Sequence, residues 1–130
     1  MEDDYQKYSS KYSVSYMSNS KWLRLFRAVA NSGIKVQRSK WHFIDSDNVL
    51  EYPMPEESEL LDVRFQDGMF QPFEYKWIKS IFIPATFKPT PGVGFTIEQD
   101  TQGILSVIDK AGQFAAELTE GGLCICAYKE

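Results

Sequence analysis

The sequence predicts a single α+β domain, a mainly antiparallel sheet with two helices, and three observations predict it. The chain is 130 residues long, and one compact domain usually takes roughly 100–200 residues. Beyond the N-terminal arm, apolar residues recur at helical spacing around 20–32 and 101–111, and elsewhere they fall in short β-branched and aromatic runs between turn residues. The resulting order of helix, several strands, helix and hairpin lacks the regular alternation that builds a parallel sheet. An apolar fraction of 43%, with 15% of residues aromatic, supplies large burial per residue and argues against a wholly disordered chain. No internal repeat or linker divides residues 1–130.

Taken in order, residues 1–18 are rich in Tyr, Ser and Lys and read as a loosely docked arm. Tyr5, Tyr8, Tyr12 and Tyr16 leave one short docked helix as the alternative. The first helix is predicted from Asn19 or Ser20, either an acceptable N-cap. Trp22, Leu25, Phe26 and Val29 form its apolar stripe, with Lys21, Arg24 and Arg27 off it, and Gly33 stands where a left-handed cap is usual. Strands are predicted over Ile34–Gln37 and Trp41–Ile44, and Asp45–Asn48 is a turn cluster. Pro53 and Pro55 keep Met54 out of any interior strand. Leu60–Phe65 alternates as a strand, and Asp67-Gly68 is a hairpin turn. Phe73–Ile83 reads as one long strand or two, with Phe73, Tyr75 and Trp77 on one face and Glu74, Lys76 and Ile78 on the other. Pro84, Pro89 and Pro91 enforce a loop through Gly92-Val93-Gly94, and Phe95–Glu98 is a short strand. Asp100 caps the second helix, which carries Ile104, Leu105 and Ile108 on one face and ends at Gly112. Phe114–Leu118 and Leu123–Tyr128 close the chain as a hairpin.

Charge is the first functional signal. The formal net charge of −4 argues against a nucleic-acid-coating role. That average hides a split, because residues 1–44 carry eight Lys/Arg against three acids while residues 45–130 carry six against fifteen. Seven acids and no base fall within 45–62: Asp45, Asp47, Glu51, Glu56, Glu57, Glu59 and Asp62. Such a stretch is either a solvated loop or a binding face. The N-terminus shows no basic region followed by an apolar one, and no apolar run is long enough to span a membrane, so a cytoplasmic protein is expected. Cys124 and Cys126 would then stay reduced.

Catalytic constellations are not evident. His42 is the only histidine and lies in an aromatic, strand-like run, where a packed or edge-exposed ring is expected, with a place on a binding surface as the alternative. No serine or cysteine stands in a nucleophile motif. Cys124-Ile125-Cys126 puts two thiols on one face of a strand, and small core residues are the expected role. No metal site and no cofactor are expected, since only His42 and carboxylates remain to complete a ligand set. Gly92-Val93-Gly94 lacks the further glycine and helix onset of a dinucleotide fingerprint.

Ser18-Asn19-Ser20-Lys21-Trp22-x-x-Leu25, Ser39-Lys40-Trp41 with Asp45, and Phe73-x-x-Lys76-Trp77-Ile78 resemble a family of small bacterial proteins of unknown function. The resemblance covers roughly residues 15–83 and implies a bacterial cytoplasmic protein, without naming catalytic residues. Size and acidity also resemble those of toxin-immunity proteins, whose acidic surfaces would complement a basic toxin. The expectation is therefore a non-enzymatic module that binds a protein partner through the acids of 45–62, with Tyr52 and Met54 as apolar anchors. The alternatives are a small-ligand or catalytic domain with a pocket formed by Trp41, His42, Tyr75 and Trp77, and a structural protein with no dedicated ligand.

Overall fold

Ser18 starts the first helix because its side chain satisfies an amide that the helix cannot. In the computed structural model, which describes residues 14–15, 17–44, 46–55, 60, 64–65, 73–88 and 94–129, Ser18 is extended and its Oγ accepts from the Lys21 N–H at 3.2 Å. The cap therefore lies one residue before Asn19. In chain order the described elements are β1 (Val14–Ser15), α1 (Asn19–Asn31), β2 (Ser39–Phe43), β3 (Ser46–Tyr52), β4 (Arg64–Phe65), β5 (Phe73–Glu74), a 3₁₀ turn (Tyr75–Trp77), β6 (Ile78–Pro84), β7 (Thr86–Phe87), β8 (Ile97–Glu98), α2 (Thr101–Ala111), β9 (Ala116–Thr119), β10 (Gly122–Cys126) and β11 (Tyr128–Lys129). The predicted stripe of α1, Trp22, Leu25, Phe26 and Val29, is the buried one. Each such side chain contributes roughly 1.5–3 kcal/mol of burial. Gly33 follows the helix at φ +81°, the left-handed conformation that favours glycine.

α2 has the same logic. Asp100 accepts from the Gly103 N–H at 2.9 Å, and Ile104 and Ile108 are buried. Both helices contribute to one core with the inner face of a five-stranded sheet, in the order β3-β2-β6-β10-β9. Every pairing in that sheet is antiparallel, and the molecule is the α+β domain that the sequence predicts. The register places Trp41 opposite Ile81, and Ile81 opposite Ile125. Leu123 faces Ile83 in the next pair. With side chains alternating along each strand, these five form one buried face and Lys40, His42, Ser80, Phe82, Cys124 and Cys126 fall on the other. Three two-stranded pairings complete the described structure: β1 with β11, β4 with β5, and β7 with β8.

Four local expectations are corrected. The expected strand Ile34–Gln37 is not formed, because side chains take amides there: Ser32 Oγ accepts from Ile34 N–H at 3.1 Å, and Gln99 Oε1 from Gln37 and Arg38 N–H at 2.9 and 3.1 Å. The turn cluster is shorter than predicted, since Ser46 pairs with Phe43 and β3 runs on through Asp47 and Asn48, which lie at the irregularity between the Ser46 and Val49 pairs; ladder formation overrides weak strand propensity. The 3₁₀ turn interrupts the alternation over Phe73–Ile83, so Tyr75 and Ile78 are buried together rather than on opposite faces. The last strand breaks at Ala127, after which β11 leaves the main sheet to pair with β1. The expected Asp67-Gly68 turn, the Gly92-Val93 portion of the predicted loop, and the tyrosines at 5, 8, 12 and 16 lie outside the described residues. Among the described residues, no helix is long and apolar enough to cross a membrane.

Candidate functional site

β3 brings Ser46–Tyr52, the described strand of the acid-rich stretch, to an edge of the main sheet. Glu51 lies there with its side chain 48% exposed, and its Oε2 sits 3.7 Å from Arg38 Nε. An ion pair this exposed is worth at most about 1 kcal/mol. Arg38 also lies over the Phe87 ring, with its guanidinium carbon 4.8 Å from the ring centroid, which holds the cation against the hairpin of β7 and β8. Asp47 belongs to β3 by its backbone. Asp45, Glu56, Glu57, Glu59 and Asp62 lie outside the described residues.

The two expected apolar anchors belong elsewhere. Tyr52 and Met54 are 9% and 8% exposed and form part of the core. Tyr52 meets the edge of the Trp41 ring, with centroids 6.1 Å apart and planes at 86°. Met54 follows the strand, and its N–H donates to the Val36 carbonyl at 3.1 Å. Both side chains are already spent on the interior of this chain, so neither is available to anchor a partner.

The expected aromatic pocket is also filled. Trp41 and Tyr75 are both 0% exposed. Phe26 from α1 stacks on Trp41 at 5.6 Å and 13°, and meets Tyr75 at 5.6 Å. The indole N–H of Trp41 donates to Ser39 Oγ at 2.8 Å, and that hydroxyl donates to the Tyr52 carbonyl at 2.6 Å. This small polar relay satisfies Ser39, which is 0% exposed and the one buried polar residue in the described core. Trp77 is half-buried against the same core. His42 faces away from Trp41, because neighbours on a strand point to opposite sides. Trp41, His42, Tyr75 and Trp77 therefore line no common cavity.

The outer face of the sheet carries what chemistry the described residues hold. His42 is half-buried beside Lys79 and Lys40; burial first, then the two ammonium groups, hold its pKa below the usual 6.5. Lys79 reaches this position because the β2–β6 register shifts between His42 and Phe43, leaving one extra residue on β6. Across the sheet, Cys124 and Cys126 are half-buried with their sulfurs 3.6 Å apart. Burial, the Cys126 side chain and the charge of Glu117 push the Cys124 thiol up to about 11. The two thiols are thus not core residues, since Leu123 and Ile125 occupy the inward positions of β10. That outcome was legible in the Leu-Cys-Ile-Cys alternation.

The surface also carries depressions. An open groove of ≈ 770 Å³ runs between the C-terminal end of α1 and the segment after β3, bordered by Val29, Ala30, Ile34, Val36, Pro53 and Met54. A shallower one of ≈ 350 Å³ lies along Ser20, Leu23, Arg24 and Arg27 on the basic side of α1. Among the described residues, no three His, Cys, Asp or Glu side chains converge as a metal ligand set. Gln99 is the organising residue that the sequence does not announce. Its amide joins the 37–38 segment to β6, donating to the Arg38 and Pro84 carbonyls at 2.9 and 2.8 Å. No family model, curated protein or solved structure matches the chain.

Proposed function

We propose that the protein is a non-enzymatic binding module that engages a basic protein partner through the acid-rich stretch 45–62, most concretely as an immunity protein that covers a basic toxin. One observation carries this reading: β3, which holds Asp47 and Glu51, is an edge strand of the main sheet, within a stretch of seven acids and no base. Negative potential concentrated along one edge steers a cationic partner and raises its association rate. The basic side chains Lys21, Arg24 and Arg27 belong to α1, away from that strand in sequence, and the expected aromatic pocket is occupied by core packing. Neutralisation then works by steric and electrostatic cover, with no bond made or broken.

The test is purification of the partner on the full chain at low and moderate salt, followed by association kinetics with purified components. Reversal of three charges, in E56K/E57K/E59K, is expected to lower the association rate by about tenfold or more at low salt, with little change in dissociation. An unchanged association rate, or one insensitive to salt, overturns the acidic-edge reading.

A further inference from the structure

We propose that Cys124 and Cys126 form a vicinal dithiol on the outer face of the sheet that chelates one thiophilic divalent metal ion, zinc or a softer relative, through both sulfurs. The proposal is independent of the acidic edge, which lies at the far side of the sheet from β10.

Geometry carries it. The sulfurs stand 3.6 Å apart, whereas a disulfide needs about 2.05 Å. Two metal–sulfur bonds of about 2.3 Å spanning 3.6 Å enclose an angle of about 103°, close to the roughly 109° of a tetrahedral ion. The spacing thus suits a metal held between the sulfurs better than a bond joining them. β10 is paired with β6 at both cysteines and with β9 at Cys124, so the backbone fixes the positions of the two Cα atoms before any ion arrives. Both side chains are half-buried rather than sealed in the core, which leaves an approach from solvent. Phe82 is the cross-strand partner of Cys124, and Ser80 that of Cys126. Glu117 of β9 is the partner of Cys124 on its other side, and residues paired directly across strands share a face of the sheet, so an aromatic ring, a hydroxyl and a carboxylate flank the pair.

No third His, Cys, Asp or Glu joins the pair among the described residues. Water or an external donor would therefore complete the coordination, and the softness of the two thiolates sets the preference for ions of the zinc and cadmium kind. Binding replaces two S–H bonds by two metal–sulfur bonds and releases two protons for each ion.

The experiment titrates the reduced full chain with Cd(II), following thiolate-to-cadmium absorbance and proton release, and then alkylates the loaded and unloaded protein with N-ethylmaleimide for mass analysis. One ion per chain, two protons released and protection of both cysteines together are expected. C124S and C126S are each expected to lower the affinity at least about 100-fold, as loss of one arm of a bidentate site does. Either variant binding within about threefold of the parent overturns the proposal, as does protection of only one cysteine, or of neither, in the parent protein. The protection measurement needs no variant, so it decides the matter even where a substitution impairs folding.

Discussion

Replacing Ser39 by alanine removes one oxygen from a fully buried position, and the structure gives the cost. Ser39 Oγ accepts from the Trp41 indole at 2.8 Å and donates to the Tyr52 carbonyl at 2.6 Å. In S39A both partners stay buried and lose this hydrogen bond. A buried polar group left without a partner costs about 1–3 kcal/mol, and the Tyr52 carbonyl retains a second lone pair that softens its share. The expected loss is about 2–4 kcal/mol, a large part of the roughly 5–15 kcal/mol that stabilises an ordinary domain. Urea unfolding at constant m-value measures it, and a thermal scan should fall by several degrees for each kcal/mol. Performing the same substitution in a W41F background separates the two bonds. Phenylalanine has no N–H to orphan, so S39A should cost about 1–2 kcal/mol less there. A loss below about 0.5 kcal/mol in the parent, or equal losses in both backgrounds, would refute the reasoning.

The other predictions concern the knot at Gln99, the histidine and one glycine. Q99A removes all four hydrogen bonds that join residues 37–38 to β6 and should cost about 2–4 kcal/mol in urea. Q99E is isosteric yet should be nearly as damaging at neutral pH, because it sets a carboxylate oxygen against the Arg38 and Pro84 carbonyls; a Q99E protein as stable as the parent refutes the assignment. For His42 the folded pKa lies below the unfolded 6.5, so the unfolded chain binds the proton more readily. Its stabilising share is whole above pH 6.5 and is lost as pH falls through the lower folded value. Imidazole NMR titration should show the lowered midpoint, K79Q should raise it only in part because burial is the larger cause, and H42Q should flatten this part of the stability profile. G122A should destabilise by more than about 2 kcal/mol or prevent folding, since a Cβ there would run into the Ile83 carbonyl oxygen and lie 2.9 Å from the Pro84 Cα. A Tm within a degree or two of the parent refutes it.

What the sequence determined by itself is what neighbouring residues decide among themselves. The stripe Trp22, Leu25, Phe26 and Val29, Gly33 after it, and the capped helix from Asp100 to Gly112 all involve contacts within a turn or two, so periodicity and caps were enough to locate both helices and the α+β class. The charge split and its seven acids were equally visible. Tertiary structure alone decided that Ser46–Tyr52 of the acid-rich stretch forms an edge strand, and that Tyr52 and Met54 turn inward. It also decided that Tyr75 joins Ile78 in the core through a 3₁₀ turn, and that one glutamine holds residues 61 and 62 positions away. The physical reason is range. Strand order and register are settled by pairing between segments far apart in the chain, and a shift of a single residue, as at Lys79, exchanges the two faces of a sheet. No local pattern records which partner a strand will meet.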